Sequence, residues 1–217
     1  MKKLIIFDLD GTLLDTLTDI TNSVNDTLKH YGKSLRTEEE IKYLLGFGPQ
    51  HLIEKSFDKS FSEEEFKEVY KFYDERYALN QNIFTKPYSG IIELLNILKK
   101  DYLLAVCSNK QDHLTKSLIK TVFPNLFSVV VGANPYQRKP NPEMPNYIME
   151  KLNVTPKETL FIGDTSVDIK TALNAKIDVV AVLWGFRKKA DLVAFNPNAF
   201  IKEPLELLEL LKKRFNN

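Results

Sequence analysis

Asp8 and Asp10 stand two residues apart in IFDLDGTLLD, directly after the apolar run KLIIF and directly before Gly11-Thr12. Asp and Gly are ordinary turn residues, so this stretch alone permits a solvated turn. Other strand-like runs end in the same manner. LLAVC closes on Ser108-Asn109, LFIG closes on Asp164 with Asp168 four residues on, and VVVG ends at Gly132 ahead of a loop carrying Arg138-Lys139-Pro140. If these runs are neighbours in one parallel sheet, their ends meet at one edge, with Lys139 brought toward the acids. Carboxylates gathered there without neutralisation would repel and shift one another's pKa values, so the site needs a cation. All-oxygen donors suit Mg²⁺, whereas zinc favours His and Cys, and neither His30, His51, His113 nor Cys107 has zinc-site spacing. Mg²⁺, an ammonium, a hydroxyl and an amide together describe a cradle for a phosphoryl group.

The elements that would hold this edge follow from periodicity. Short apolar runs KLIIFDL, DYLLAVCS, SVVVG, TLFIGD and DVVAVLW alternate with amphipathic segments, a pattern that predicts an α/β, Rossmann-like parallel sheet core with helices on both faces. Residues 17 to about 82 interrupt it and carry no strand-like run. Leu17, Ile20, Val24, Leu28 and Tyr31 recur at helical spacing up to Gly32, and two capping boxes follow, Thr37 with Glu40 and Ser62 with Glu65. The second opens a helix whose apolar stripe, Phe66, Val69, Tyr70, Tyr73 and Tyr77, is expected to be core. TKPYSG reads as the return linker before the helix IIELLNILKK. The expected organisation is a core of residues 1–15 and 85–217 with an all-helical cap, 16–84, inserted after the first strand. In open parallel sheets ligands bind outside the carboxyl ends of the strands, the edge over which that insert must rise.

Lys+Arg 30 against Asp+Glu 29 gives a net charge of +1, which offers no field of one sign to recruit nucleic acid or an anionic membrane. The single cysteine, Cys107, excludes an internal disulfide and lies in an apolar run as a small core residue. The basic opening MKK is followed by an apolar stretch that Asp8 and Asp10 cut short, and no later stretch reaches membrane-spanning length. A cytoplasmic setting is expected.

In order and spacing, Asp8-Leu9-Asp10-Gly11-Thr12, Ser108-Asn109-Lys110, Lys139-Pro140 and Gly163-Asp164-Thr165-Ser166-Val167-Asp168 resemble the four signature motifs of the haloacid dehalogenase superfamily. The helical insert, PYSG, Leu183-Trp184-Gly185-Phe186 and Gly46-Phe47-Gly48 are similar to its phosphoglycolate phosphatase group. The resemblance implies a Mg²⁺-dependent phosphatase acting on a small phosphorylated metabolite. Asp8 would attack phosphorus and form an aspartyl-phosphate. Asp10 would protonate the leaving oxygen and then deprotonate the hydrolytic water. Asp8, the Asp10 carbonyl and Asp164 would hold the metal, with Asp168 as a further ligand or support. Thr12, Ser108, Asn109 and Lys139 would hold phosphoryl oxygens. Phe47, Gln50 and His51 are the cap residues expected to choose the substrate.

Within the superfamily, Asp10 disfavours a dehalogenase, because a departing halide needs no proton. Pro49 and Gln50 disfavour a sugar-phosphate mutase, which needs a cation in that cap loop; pyrophosphatase and nucleotidase are alternatives of the same chemistry. A phospho-receiver signalling domain also gathers acids and a Lys at a sheet edge, but has no such cap. Lys110 and Arg187 carry no assignment from the sequence. Two departures from relatives are visible. Lys176 occupies a helix end where Gly is common, so it must either adopt a left-handed backbone or end the helix differently. Asn134 and Asn141 replace frequent acids near Lys139 and are expected to affect its orientation.

Overall fold

A computed structural model describes residues 3–134 and 136–215; Met1, Lys2, Pro135, Asn216 and Asn217, which fall in the expected core ranges, lie outside the described residues. The described strands are β1 (Lys3–Phe7), β2 (Leu14–Asp15), β3 (Lys86–Pro87), β4 (Tyr102–Gln111), β5 (Val129–Ala133), β6 (Thr159–Gly163), β7 (Asp178–Val182) and β8 (Ala199–Ile201). The described α-helices are α1 (Leu17–His30), α2 (Glu38–Leu44), α3 (Pro49–Ser56), α4 (Glu63–Asn80), α5 (Ile91–Leu98), α6 (Asp112–Val122), α7 (Glu143–Leu152), α8 (Ser166–Asn174), α9 (Lys189–Leu192) and α10 (Glu206–Phe215).

Leu4 through Phe7 are all buried, as an interior parallel strand requires. Successive side chains leave opposite faces. Ile5 and Phe7 join Leu94, Leu95 and Leu98 of α5 and Leu207 and Leu211 of α10 on one side, while Leu4 and Ile6 join Met144 and Ile148 of α7 and Ile169 and Ala172 of α8 on the other. The six-stranded sheet runs β5-β4-β1-β6-β7-β8, with every neighbouring pair parallel. The chain therefore builds outward from β1 on one side, then crosses back to β6 and builds outward on the other. That reversal opens a crevice at the carboxyl ends of β1 and β6.

The short antiparallel ribbon of β2 and β3 pairs Leu14 with Pro87 and Asp15 with Lys86, where the chain leaves the sheet for α1–α4 and returns. Ile20, Val24 and Leu28 of α1, Ile41 of α2, Leu52 and Ile53 of α3, and Val69, Tyr73 and Tyr77 of α4 form a third apolar cluster. Both capping boxes open their helices. Leu114 of α6 and Phe186 belong to this cluster too, and each buried side chain contributes on the order of 2 kcal/mol to holding the four helices on the sheet edge.

Three local features differ from the sequence expectation or resolve it. β4 does not end at Ser108-Asn109 but runs to Gln111, because pairing with β5 resumes at Gln111 and Ala133 after a register shift beyond Cys107 and Val131. The irregularity takes Ser108, Asn109 and Lys110 out of the regular ladder. β8 is an edge strand too short to be read from its sequence. Lys176 takes the left-handed backbone, φ +59°, and its N–H and that of Ile177 close the end of α8 onto Leu173 and Ala172. Among the described residues no helix is long and apolar enough to cross a membrane.

Candidate active site

Asp8 is the first residue past β1, and its N–H continues the ladder to the Ile162 carbonyl at 2.9 Å. Asp164 is the first residue past β6, so the two carboxylates leave adjacent strands at the crevice. Between them the chain turns tightly: the N–H groups of Thr12, Leu13 and Leu14 all reach the Leu9 carbonyl. Gly11 is at φ +88°, and a Cβ there would lie 2.4 Å from Asp164 Oδ2. At Gly185 a Cβ would lie 2.2 Å from the Gly11 carbonyl oxygen. Only glycine admits this approach from either side. Trp184 secures it by donating from Nε1 to the Thr12 carbonyl at 3.0 Å, and the Phe186 N–H donates to Asp164 Oδ2 at 2.7 Å.

Asp8, Asp164 and Asp168 each place a carboxylate oxygen within 4.8 Å of the other two, and all three are buried. Lys139 lies in their midst, its Nζ donating at 2.6 Å to Asp8 Oδ1 and at 2.6 Å to Asp168 Oδ1. Burial pushes Asp8 well above the usual carboxylate range; Lys139 opposes the shift, and the charges of Asp168 and Asp164 add to it. Asp164 is pushed up to about 7, first by burial and then by Asp168. Burial alone would lower Lys139, but Asp168 and Asp8 outweigh it and the ammonium is held charged. One ammonium thus leaves the trio short of positive charge.

The donor set fits a hard divalent cation, being carboxylate oxygen throughout. Asp168 is the most committed of the three: Oδ1 takes Lys139, while Oδ2 accepts from the N–H and Oγ1 of Thr165 in the capping box of α8. Among the described residues Asp8 Oδ2 and Asp164 Oδ1 meet only the long contacts of Thr12 Oγ1, at 3.4 and 3.3 Å, and are the oxygens best able to hold a metal.

Asn109 organises the opposite side. Its Oδ1 accepts from the Lys139 N–H at 2.6 Å, and its Nδ2 donates to the carbonyls of Lys139 at 3.0 Å and Gly46 at 2.9 Å. It therefore positions the lysine loop and ties the α2–α3 connection to the sheet. Ser108 is buried and its Oγ accepts from the Lys110 N–H. Asp10 Oδ1 accepts from Thr16 Oγ1 at 2.8 Å and pairs with Lys110 Nζ at 3.0 Å. Cys107, its thiol pushed up to about 12 by burial, is a core residue. Asn141 bonds Gln137 and caps Glu143, with no contact to the Lys139 ammonium among the described bonds.

The cavity above Asp8 and Asp168 is walled by Leu44, Leu45, Pro49 and Leu52 and by Tyr70, Tyr73 and Tyr77 of α4. The expected specificity residues lie outside this lining. Phe47 is 45% exposed and tilts against His51, and Gln50 bonds Glu54 at the surface; neither they nor His51 line the cavity. The cause is helical phase: α3 turns Pro49 and Leu52, three residues apart, toward the cavity, which carries positions 50 and 51 round to other faces. The Tyr stripe, expected only as core, is both core and wall. Burial keeps these phenols neutral, pushing Tyr70 up to about 12 and Tyr73 and Tyr77 well above the ordinary value. Arg187 also escaped the sequence reading. It donates to the carbonyls of Lys42, Tyr43 and Leu45 at 2.7, 2.9 and 2.8 Å, satisfying the open end of α2. Its one sequence signal was its place just past Trp184-Gly185-Phe186.

Residues 5–182 match the family model described as haloacid dehalogenase-like hydrolase. A phosphoglycolate phosphatase of Aquifex aeolicus is 32% identical over 96% of this chain and 96% of its own length. One from Haemophilus influenzae is 32% identical over 96% of this chain and 98% of its own. Among solved structures, a haloacid dehalogenase-like family hydrolase from Streptococcus pneumoniae superposes with a TM-score of 0.87 at 26% identity, covering 97% of this chain and 98% of that one.

Proposed function

This chain belongs to the haloacid dehalogenase-like hydrolases and is a phosphatase, and we propose that it hydrolyses a small phosphomonoester, 2-phosphoglycolate or a similarly compact metabolite, through an aspartyl-phosphate on Asp8. The observation that carries this reading is the gathering of Asp8, Asp164 and Asp168, with Lys139 bridging Asp8 and Asp168, at the floor of the cavity. The phosphoglycolate phosphatases named above support that choice of substrate.

Asp8 attacks phosphorus from its place at the end of β1 while Lys139 faces the charge that spreads over the phosphoryl oxygens. Asp10, whose Oδ1 is engaged by Thr16 and Lys110, has Oδ2 to protonate the departing ester oxygen and then to take a proton from the hydrolytic water. Ser108 and Thr12 offer hydroxyls to the phosphoryl oxygens, and Asn109 holds the Lys139 loop in place. Mg²⁺ is the cation that this oxygen set suits; Asp8, Asp164 and the Asp10 carbonyl would hold it, with Asp168 in support, and it would supply positive charge against the phosphoryl oxygens. Helices α1–α4 act as a cap that excludes bulk water during the first step. The buried, unpaired Cys107 fits a reducing cytoplasm.

The test is phosphate release. Wild-type protein should turn over 2-phosphoglycolate repeatedly with Mg²⁺ and stop with EDTA, and Asp8→Asn should lose nearly all turnover while unfolding as cooperatively as wild type. Activity retained by folded Asp8→Asn removes the nucleophile assignment, and a single stoichiometric, stable phosphorylation of the protein points to a receiver instead.

A further inference from the structure

Lys110 emerges from the irregular end of β4 with its side chain only 7% exposed. Its Nζ lies 3.0 Å from Asp10 Oδ1 and 2.6 Å from the Tyr77 hydroxyl, with the centre of the Tyr77 ring 4.3 Å away. An ammonium has three donors. Among the described residues two are matched in this way, which leaves the third for the cavity that Lys110 lines. Among the described residues the one other cation of that lining is Lys139, and both Asp8 and Asp168 hold it on the phosphoryl side. The rest of the wall mixes apolar and aromatic side chains, Leu44, Leu52, Tyr73 and Leu114, with the polar Gln111 and Asp74.

Position then limits what Lys110 can meet. Asp10 reaches the ester oxygen through Oδ2 while Oδ1 keeps Lys110, so two hydrogen bonds and the width of one carboxyl group put the ammonium roughly 5–7 Å from the ester oxygen. A group on the carbon that bears the ester bridges that gap with one further hydrogen bond. A largely buried ammonium whose one paired carboxylate is also used by Thr16, and whose third donor faces the cavity, is further balanced by an anionic group on the substrate.

We infer that Lys110, set by Tyr77, reads a carboxylate on the ester-bearing carbon, so that the preferred substrates are phosphate esters of 2-hydroxy carboxylic acids. The inference rests on the phosphatase reading and assigns its specificity to the core strand β4 and helix α4 rather than to the α2–α3 loop. The binding step is an ion pair and makes no covalent change.

The comparison that tests it is kcat/KM on 2-phosphoglycolate against 2-hydroxyethyl phosphate, which replaces the carboxylate by a neutral hydroxymethyl group. One charge-assisted hydrogen bond predicts a preference of about 10- to 100-fold for the acid in wild type. Lys110→Met should collapse that ratio toward unity, Lys110→Arg should retain part of it, and Tyr77→Phe should narrow it several-fold. In an Asp8→Asn background, where the ester is not cleaved, calorimetry should give the same ordering of Kd values. Wild type that hydrolyses p-nitrophenyl phosphate but treats the acid and alcohol esters alike leaves the phosphatase reading standing and overturns this one. A Lys110→Met protein with the wild-type ratio assigns the carboxylate elsewhere and overturns it as well. If the Lys110 variants do not fold, the wild-type and Tyr77→Phe ratios decide alone; no hydrolysis of any ester by wild type removes both readings.

Discussion

Lys139→Met takes the one ammonium from between Asp8 and Asp168 and leaves both carboxylates in a setting where the lysine and Asp168 side chains are each 2% exposed and that of Asp8 is 8% exposed. Stripping one partner from a buried pair typically costs about 3–5 kcal/mol, because the remaining charge has neither water nor counter-ion. The chain has an escape, which is to protonate one Asp. Against an unfolded chain whose carboxylates titrate normally, at 1.36 kcal/mol per unit, that caps the penalty at about 4 kcal/mol at pH 7, and because Asp8 is already pushed up in the folded protein the penalty should settle at or below about 3–4 kcal/mol. For a domain of this size each kcal/mol moves Tm by about 2–4 °C, which predicts a drop of up to roughly 16 °C in EDTA, followed by circular dichroism. Two further measurements isolate the cause. Lys139→Met with Asp168→Asn should melt above Lys139→Met alone, since one of the two stranded carboxylates is gone. Mg²⁺ should raise the Tm of Lys139→Met more than that of wild type, because the ion restores the missing charge. A melting point within about 2 °C of wild type, or a double variant no more stable than the single one, refutes the account of Lys139 as the counter-ion of the trio.

Asp10→Ala should lower kcat/KM on an alkyl phosphate by about 10²- to 10⁴-fold and on an aryl phosphate with an acidic phenol, which leaves without a proton, by much less, while the water step stays slow for both; equal losses in kcat/KM would exclude the acid role. Arg187→Ala removes three hydrogen bonds from the last carbonyls of α2 and should cost about 1–3 kcal/mol of stability. It should also speed amide exchange in α2 and α3 relative to the sheet, and exchange rates unchanged from wild type would show that Arg187 does not hold those helices.

What the sequence determined by itself is local. Apolar runs of strand length ending in Asp8, Ser108-Asn109 and Asp164, with helical periodicity between them, specify a parallel sheet and the edge on which its polar ends fall, because side-chain period and burial on both faces act within a few residues. Capping boxes at Thr37 and Ser62 are equally local and open their helices as the spacing predicts. The tertiary structure alone decided which groups meet. Lys139 reaches Asp8 across 131 residues of chain, and Asn109 reaches Gly46 across 63. The strand order that makes this possible is set by packing of whole layers. The same holds for the cavity wall. Whether position 47 or position 52 faces the cavity depends on the helical phase of α3 after Gly48, at φ +89°, and the meeting of Tyr77 with Lys110 depends on β4 running on past its register shift. Neither is written in residue type, because a helix face and a strand end acquire their neighbours only when the two elements are pressed together.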